Sequence, residues 1–148
     1  MTYSHNRRSG LPALEEELAG LLHAARLRDR QARAVAARLG WDGKGATTLA
    51  VAAAAEGYSR ERVRQLEERV RAHARGAKAP VPSTKTALRL VEELAPIASH
   101  EIGFHLVLAG VSHRPFDVSG LLSAAEILGL DHCVVEEGGM LRYEERAA

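Results

Sequence analysis

The stretch from Thr48 to Arg71 constrains the fold most. It reads TLAVAAAAEGYSRERVRQLEERVR: a short alanine-rich run, one glycine, then a long charged run. Thr48 is placed to cap a short helix reaching Ala55. Glu56-Gly57-Tyr58 predicts a tight turn, because Gly57 takes without strain the positive φ that a three-residue turn between helices often requires. Ser59 is then the N-cap of a second helix, with Glu61 and Arg62 in its first turn. On a wheel of about 100° per residue, Val63, Leu66 and Val70 form one apolar stripe. Glu61, Arg64, Gln65 and Glu68 lie opposite, flanked by Arg60 and Arg62. A short support helix, a glycine turn and a longer helix with a polar outer face make a helix-turn-helix.

More helices precede this pair. Leu14, Leu18, Leu21 and Leu22 recur at helical spacing behind Pro12, with Glu15 to Glu17 in the first turn, where the helix dipole favours anions. Leu27 to Leu39 continues as a basic, alanine-rich helix that stops at Gly40. The loop Trp41-Asp42-Gly43-Lys44-Gly45 is not a phosphate-binding P-loop, since Lys44 is followed by Gly45 and no strand precedes it. Trp41 reads as a cap on the hydrophobic core.

Ala72 to Thr86 reads AHARGAKAPVPSTKT, and Gly76, Pro80 and Pro82 interrupt any periodicity there. The expectation is a linker over residues 76–86 joining a helix-turn-helix domain, 1–75, to a second small domain, 87–148. Charge divides at the same place. Residues 1–82 carry 15 Lys/Arg against nine Asp/Glu, and residues 83–148 carry five against ten, so a total near zero hides a basic half and an acidic half. Such asymmetry suggests that one half meets a polyanion.

In the acidic half, Leu88, Val91 and Leu94 predict a helix over Ala87–Ala98 that Pro96 ends or bends. Ser99 can cap a second helix carrying Ile102, Leu106 and Ala109, with Gly110 at its end. Phe116-Asp117 leads into a third helix, Val118 to Leu128, and two strands, 132–136 and 140–143, flank Glu137-Gly138-Gly139. Three helices plus a β-hairpin outline a winged-helix-like domain. Its third helix offers Ser119, Ser123 and Glu126 with no Lys or Arg, and the hairpin tip carries Glu136 and Glu137, the wrong sign for phosphate. A protein-contact role, by homodimerisation or with another partner, is therefore expected of it. The fold class is mainly α.

Several function classes are excluded or disfavoured. No run approaches the roughly 18 apolar residues of a membrane span, and Arg7 and Arg8 are followed by no apolar region of a secretory signal. One cysteine, Cys133, excludes an internal disulfide framework and a CxxC-type zinc site. It sits among apolar residues on an expected strand, which favours a buried, inert thiol. His100 and His105 are five apart, about 140° round a helix, and do not converge as i,i+4 ligands do. No nucleophile–base or paired-carboxylate spacing stands out. We expect no enzyme, no cofactor and no metal, and a cytoplasmic location.

The residues quoted above carry a resemblance. Leu27–Gly43 followed by Thr48–Arg71 resembles region four of primary-type bacterial sigma factors. That family shows Leu-x-x-Arg-Glu, Arg-Phe/Tyr-Gly-Leu, Thr-Leu, then Gly-Val-Thr/Ser-Arg-Glu-Arg-Ile/Val-Arg-Gln-Ile-Glu. Ser59 to Glu67, SRERVRQLE, fits almost residue for residue, and Leu27, Arg30, Arg38, Gly40, Thr48, Leu49 and Gly57 fit as well. The resemblance spans residues 27–71. Gln31 and Glu56 depart from the pattern, and the support helix is nearly all alanine.

The resemblance implies that the helix beginning at Arg60 enters the major groove of a promoter −35 element while preceding helices pack on the RNA polymerase β-flap. Arg60, Glu61 and Gln65 become base-reading candidates. Arg62 and Arg64 are candidates for groove-edge or phosphate contact, and Thr48 for a backbone contact; Ser59, at the head of the helix, belongs to the same DNA-facing set. The side-chain types suit this work, because Arg can fork onto guanine, Gln onto adenine, and Glu can accept from cytosine. With Trp41 the one tryptophan, the chain is expected to read DNA without melting it. The first expectation is a double-stranded DNA-binding transcription regulator. The alternative is an interaction adaptor that binds RNA polymerase or another regulator, with little DNA specificity of its own.

Overall fold

The computed structural model describes residues 10–144, which form seven α-helices and one small antiparallel sheet. Helix α1, Leu14–Ala24, buries Leu14, Leu18, Leu21 and Leu22. Helix α2, Asp29–Leu39, ends at Gly40, whose φ of 78° makes the left-handed cap that glycine adopts most readily. Helix α3 spans Leu49–Glu56 and α4 Arg60–Ala77. Helix α5 is Pro82–Leu94, followed by a two-residue strand β1, Ile97–Ala98, a 3₁₀ turn at Ser99–Glu101, and α6, Ile102–Leu108. Helix α7 is Val118–Leu128; strands β2, Val134–Glu137, and β3, Met140–Tyr143, complete the described chain.

The two halves share one core. A single apolar cluster takes Leu14 and Leu18 from α1, Val35 from α2, Leu66 and Val70 from α4, Leu88 and Val91 from α5, Leu106 from α6, Leu121 from α7 and Leu141 from β3. The expected linker over 76–86 is therefore corrected. Helix α4 runs through Gly76 to Ala77, and α5 begins at Pro82, so the connection is residues 78–81, with Val81 itself buried. Pro82 starts a helix rather than breaking one, because the first helical residue needs no N–H and has the φ that proline supplies. The Glu17 carboxylate of α1 accepts from the Ser83 and Thr84 N–H groups at 2.9 and 2.7 Å, which satisfies that helix start from across the molecule. Boundaries at 75 and 87 thus divide no core.

Glu15 acts in the same way, its carboxylate accepting from the N–H groups of His113 and Arg114 at 3.0 and 2.9 Å. All three acids in α1's first turn reach the acidic half, Glu16 through the His113 imidazole at 3.5 Å. The dipole argument for these residues is local and misses that role.

The sheet has the order β1-β3-β2. Ile97 pairs with Leu141, and Glu136 with the same Leu141 from the other side. The expected hairpin is thus a three-stranded sheet; a two-residue strand has no periodicity for sequence to display. Ser99 does not cap a helix: Ala98 precedes the 3₁₀ turn, and the Ser99 hydroxyl is buried without a hydrogen-bond partner among the described residues. Cys133 is half-buried rather than buried. Trp41 lies 3% exposed in the core, and its indole N–H donates to Ser123 Oγ at 3.0 Å.

Candidate nucleic-acid interface

The residues expected to face DNA lie on α3, the turn and α4. Thr48 is the N-cap of α3, its Oγ accepting from the Val51 N–H at 3.1 Å. Ser59 does the same for α4, accepting from the Arg62 N–H at 3.1 Å. Between them Gly57 sits at φ 71°. A Cβ there would meet nothing within 4 Å, so the backbone conformation, not space, calls for glycine.

Why α3 is nearly all alanine follows from its packing. Ala52 and Ala53 are buried with Ala34 of α2 and Val63 of α4 in a small cluster that Leu49 and Tyr58 edge. Small side chains let three helices approach closely at the turn. Two further contacts fix the turn against α2. The Arg30 guanidinium lies 4.3 Å from the centre of the Tyr58 ring, a cation–π geometry. Arg33 pairs with Glu56 at 3.3 Å. Glu56, before the turn glycine, therefore has a structural partner on α2.

On α4, Val63, Leu66 and Val70 are buried, as the wheel predicts. Arg60, Glu61, Arg64, Gln65 and Glu68 are exposed and Arg62 is half-buried. The outer face is not a row of independent side chains. Arg64 donates to both Glu61 oxygens, at 2.9 and 2.7 Å, and the Gln65 amide nitrogen reaches Glu61 at 3.3 Å. The Arg64 hydrogen bond holds the Glu61 carboxyl below its ordinary pKa, and the Arg64 guanidinium is raised in return. Glu61 thus stays an acceptor across the physiological range. Arg60 and Arg62 carry no side-chain hydrogen bond or ion pair among the described residues. They are the charges on this face available to a polyanion without breaking an internal contact.

Not every cation of the basic half is available in this sense. Arg38 pairs with Glu67 at 3.1 Å and donates to the Thr47 carbonyl at 2.8 Å. Arg71 pairs with the same Glu67 at 3.0 Å and reaches Glu126 of α7 at 2.7 and 3.0 Å. These partners raise the Arg71 pKa further and lower that of Glu126. The charge asymmetry read from sequence is thereby partly compensated inside the molecule.

The polar stripe of α7 is also not a free surface. The Ser119 hydroxyl accepts from the Ala46 N–H at 2.9 Å, and the Ser123 hydroxyl donates to the Leu39 carbonyl at 2.6 Å. With Glu126 on Arg71, all three expected outward groups face the basic half. No cluster of three or more His, Cys, Asp or Glu able to hold a metal occurs among the described residues. No described helix is long and apolar enough to cross a membrane. No family model matches the chain, and comparison with curated proteins and with solved structures finds no significant match.

Proposed function

We propose that this chain is a double-stranded DNA-binding transcription regulator that reads the major groove with the first turns of α4, in the manner of sigma region four. The observation that carries this reading is the exposed face Arg60–Gln65. It combines two arginines that have no side-chain partner among the described residues with a pre-aligned Glu61–Arg64–Gln65 set on a helix whose opposite stripe is buried. Exposed arginines supply phosphate attraction, and the Glu and Gln groups are of the types that discriminate base edges. Thr48, at the head of α3, is placed for a contact to the sugar–phosphate backbone.

Helices α5, α6 and α7 closed by the β1-β3-β2 sheet support a winged-helix-like reading of residues 82–144. With α7 packed inward and Glu136 and Glu137 at the sheet's tip, that unit contributes no second DNA-reading helix.

Selection from a random duplex pool tests the proposal. The wild-type chain enriches a discrete sequence. Arg60→Ala and Gln65→Ala each lose about 1–3 kcal/mol of discrimination at the base they contact. Enrichment of no sequence by the wild-type chain, or the same sequence at the same ratio by both variants, refutes direct readout.

Phe104 and Leu108 favour a second reading. They lie one turn apart on α6 and are 63% and 56% exposed. Apolar side chains grouped at a surface mark protein contacts more often than DNA contacts. On this reading the chain is an adaptor for RNA polymerase or another regulator. Polymerase co-purification that survives charge reversal at Arg60 and Arg64 supports it, and its loss on those changes counts against it.

A further inference from the structure

We infer that Glu126 is a positioning residue for the reading helix, and that α7 serves as the brace through which the acidic half sets the angle of α4. The functional part of this inference rests on the DNA-reading proposal; the mechanical part does not.

Three polar groups of α7, at Ser119, Ser123 and Glu126, recur at i,i+4 and i,i+3 spacing and so share one side of the helix. Each meets a different element that places α4. Ser119 accepts from Ala46 in the loop before α3. Ser123 holds the end of α2 through the Leu39 carbonyl and the Trp41 indole. Glu126 takes α4 itself through both nitrogens of the Arg71 fork. Between the first two links the helices touch backbone to backbone, since a Cβ at Gly120 would lie 2.0 Å from the Gly40 carbonyl oxygen. The α2 end is thus fixed against α7 without slack.

The Arg71 link matters because of where it sits. Arg71 is 11 residues beyond Arg60, about 16 Å along a helix at 1.5 Å per residue. The apolar anchors Val63, Leu66 and Val70 form a single stripe, which resists translation better than rocking. A tilt of about 10° about Leu66, the middle of that stripe, carries the Arg60 end by about 1.6 Å over about 9 Å and the Arg71 end by about 1.3 Å over about 7.5 Å, so a link that holds Arg71 also holds Arg60 within what a bidentate base contact tolerates. An isolated exposed ion pair would resist such a tilt weakly. Here Arg38, Glu67, Arg71 and Glu126 alternate in sign along a chain, and Glu67 and Arg71 at its centre are 12% and 21% exposed.

The experiment compares the full-length chain with Glu126→Gln and with a control, Glu136→Gln, which removes an equal charge from the sheet without touching α4. Hydrogen exchange over residues 67–77 and the affinity ratio between a selected and a scrambled duplex are both read. Glu126→Gln speeds exchange in 67–77 and lowers the ratio about three-fold or more, the scale of coupling within one ion network. Glu136→Gln changes neither. Unaltered exchange in Glu126→Gln overturns the brace. Faster exchange with an unaltered ratio overturns its role in reading. If the wild-type chain itself prefers no duplex, the DNA-reading proposal fails, and the exchange arm alone decides whether α7 braces α4.

Discussion

Gly120→Ala should destabilise this protein, although alanine is the better helix former. The residue lies in the first turn of α7, and the added Cβ would sit 2.0 Å from the Gly40 carbonyl oxygen, 2.7 Å from its carbon and 2.9 Å from Phe116 Cε1. The phenyl ring can shift. The Gly40 peptide cannot, because Gly40 is the left-handed cap of α2. A carbon and a carbonyl oxygen approach to about 3.3 Å, so α2 and α7 must part by about 1 Å. Overpacking of that kind costs about 1–3 kcal/mol. The separation also stretches the Trp41–Ser123 and Ser123–Leu39 hydrogen bonds, at about 1 kcal/mol each. Helix propensity returns at most about 1 kcal/mol. The net loss is about 2–4 kcal/mol, or about 4–16 °C in Tm for a chain of this size. Urea unfolding followed by Trp41 fluorescence and far-ultraviolet circular dichroism measures it. Gly20→Ala and Gly76→Ala are the controls: both sites are helical with nothing within 4 Å of the new Cβ, so each should stabilise by about 0.5–1 kcal/mol. If Gly120→Ala is as stable as the wild-type chain or more so, the two halves do not share the close seam described here.

Glu17→Gln removes a carboxylate that accepts three hydrogen bonds from the start of α5; it should cost about 1–2 kcal/mol, and a urea midpoint equal to wild type would contradict that. Glu126 has a folded pKa below its unfolded value because Arg71 donates to its carboxylate. Its stabilisation is therefore fully present above the ordinary glutamate pKa and lost as pH falls through the lower folded value. The stability gap between wild type and Glu126→Gln should stay level from neutral pH down to about pH 5 and narrow below it; a gap that widens on acidification has the wrong sign. Trp41→Phe loses the indole donor to Ser123, at about 1 kcal/mol, and chemical denaturation followed by circular dichroism should show it.

The elements that sequence made legible are those governed by local rules. Thr48 and Ser59 cap the helices they precede, Gly40 and Gly57 end the helices they follow, and the Val63-Leu66-Val70 stripe is buried. The outer face of α4 was legible for the same reason, and so in principle was the Glu61–Arg64–Gln65 set, which lies at i,i+3 and i,i+4. What escaped was tertiary. Ser119 and Ser123 have the composition of a solvated helix face, and nothing within α7 tells water from the end of α2. Glu15 and Glu17 meet groups nearly a hundred and nearly seventy residues away. Proline reads equally as a breaker or as a first helical residue, so the break at 76–86 looked like a domain boundary. The Arg30–Tyr58 and Arg33–Glu56 contacts brace the candidate site from another helix and left no mark in its own segment.

Fluorescence anisotropy on labelled duplexes tests the central claim most directly. It compares a −35-like TTGACA duplex, a scrambled duplex and a random pool across a salt series. We predict that one sequence class binds more tightly and that its preference persists at moderate salt, while overall affinity falls steeply with log salt through phosphate contacts such as that of Arg62. Equal binding to every duplex that vanishes as salt rises would leave only nonspecific electrostatics and contradict the account of α4 as a base-reading helix.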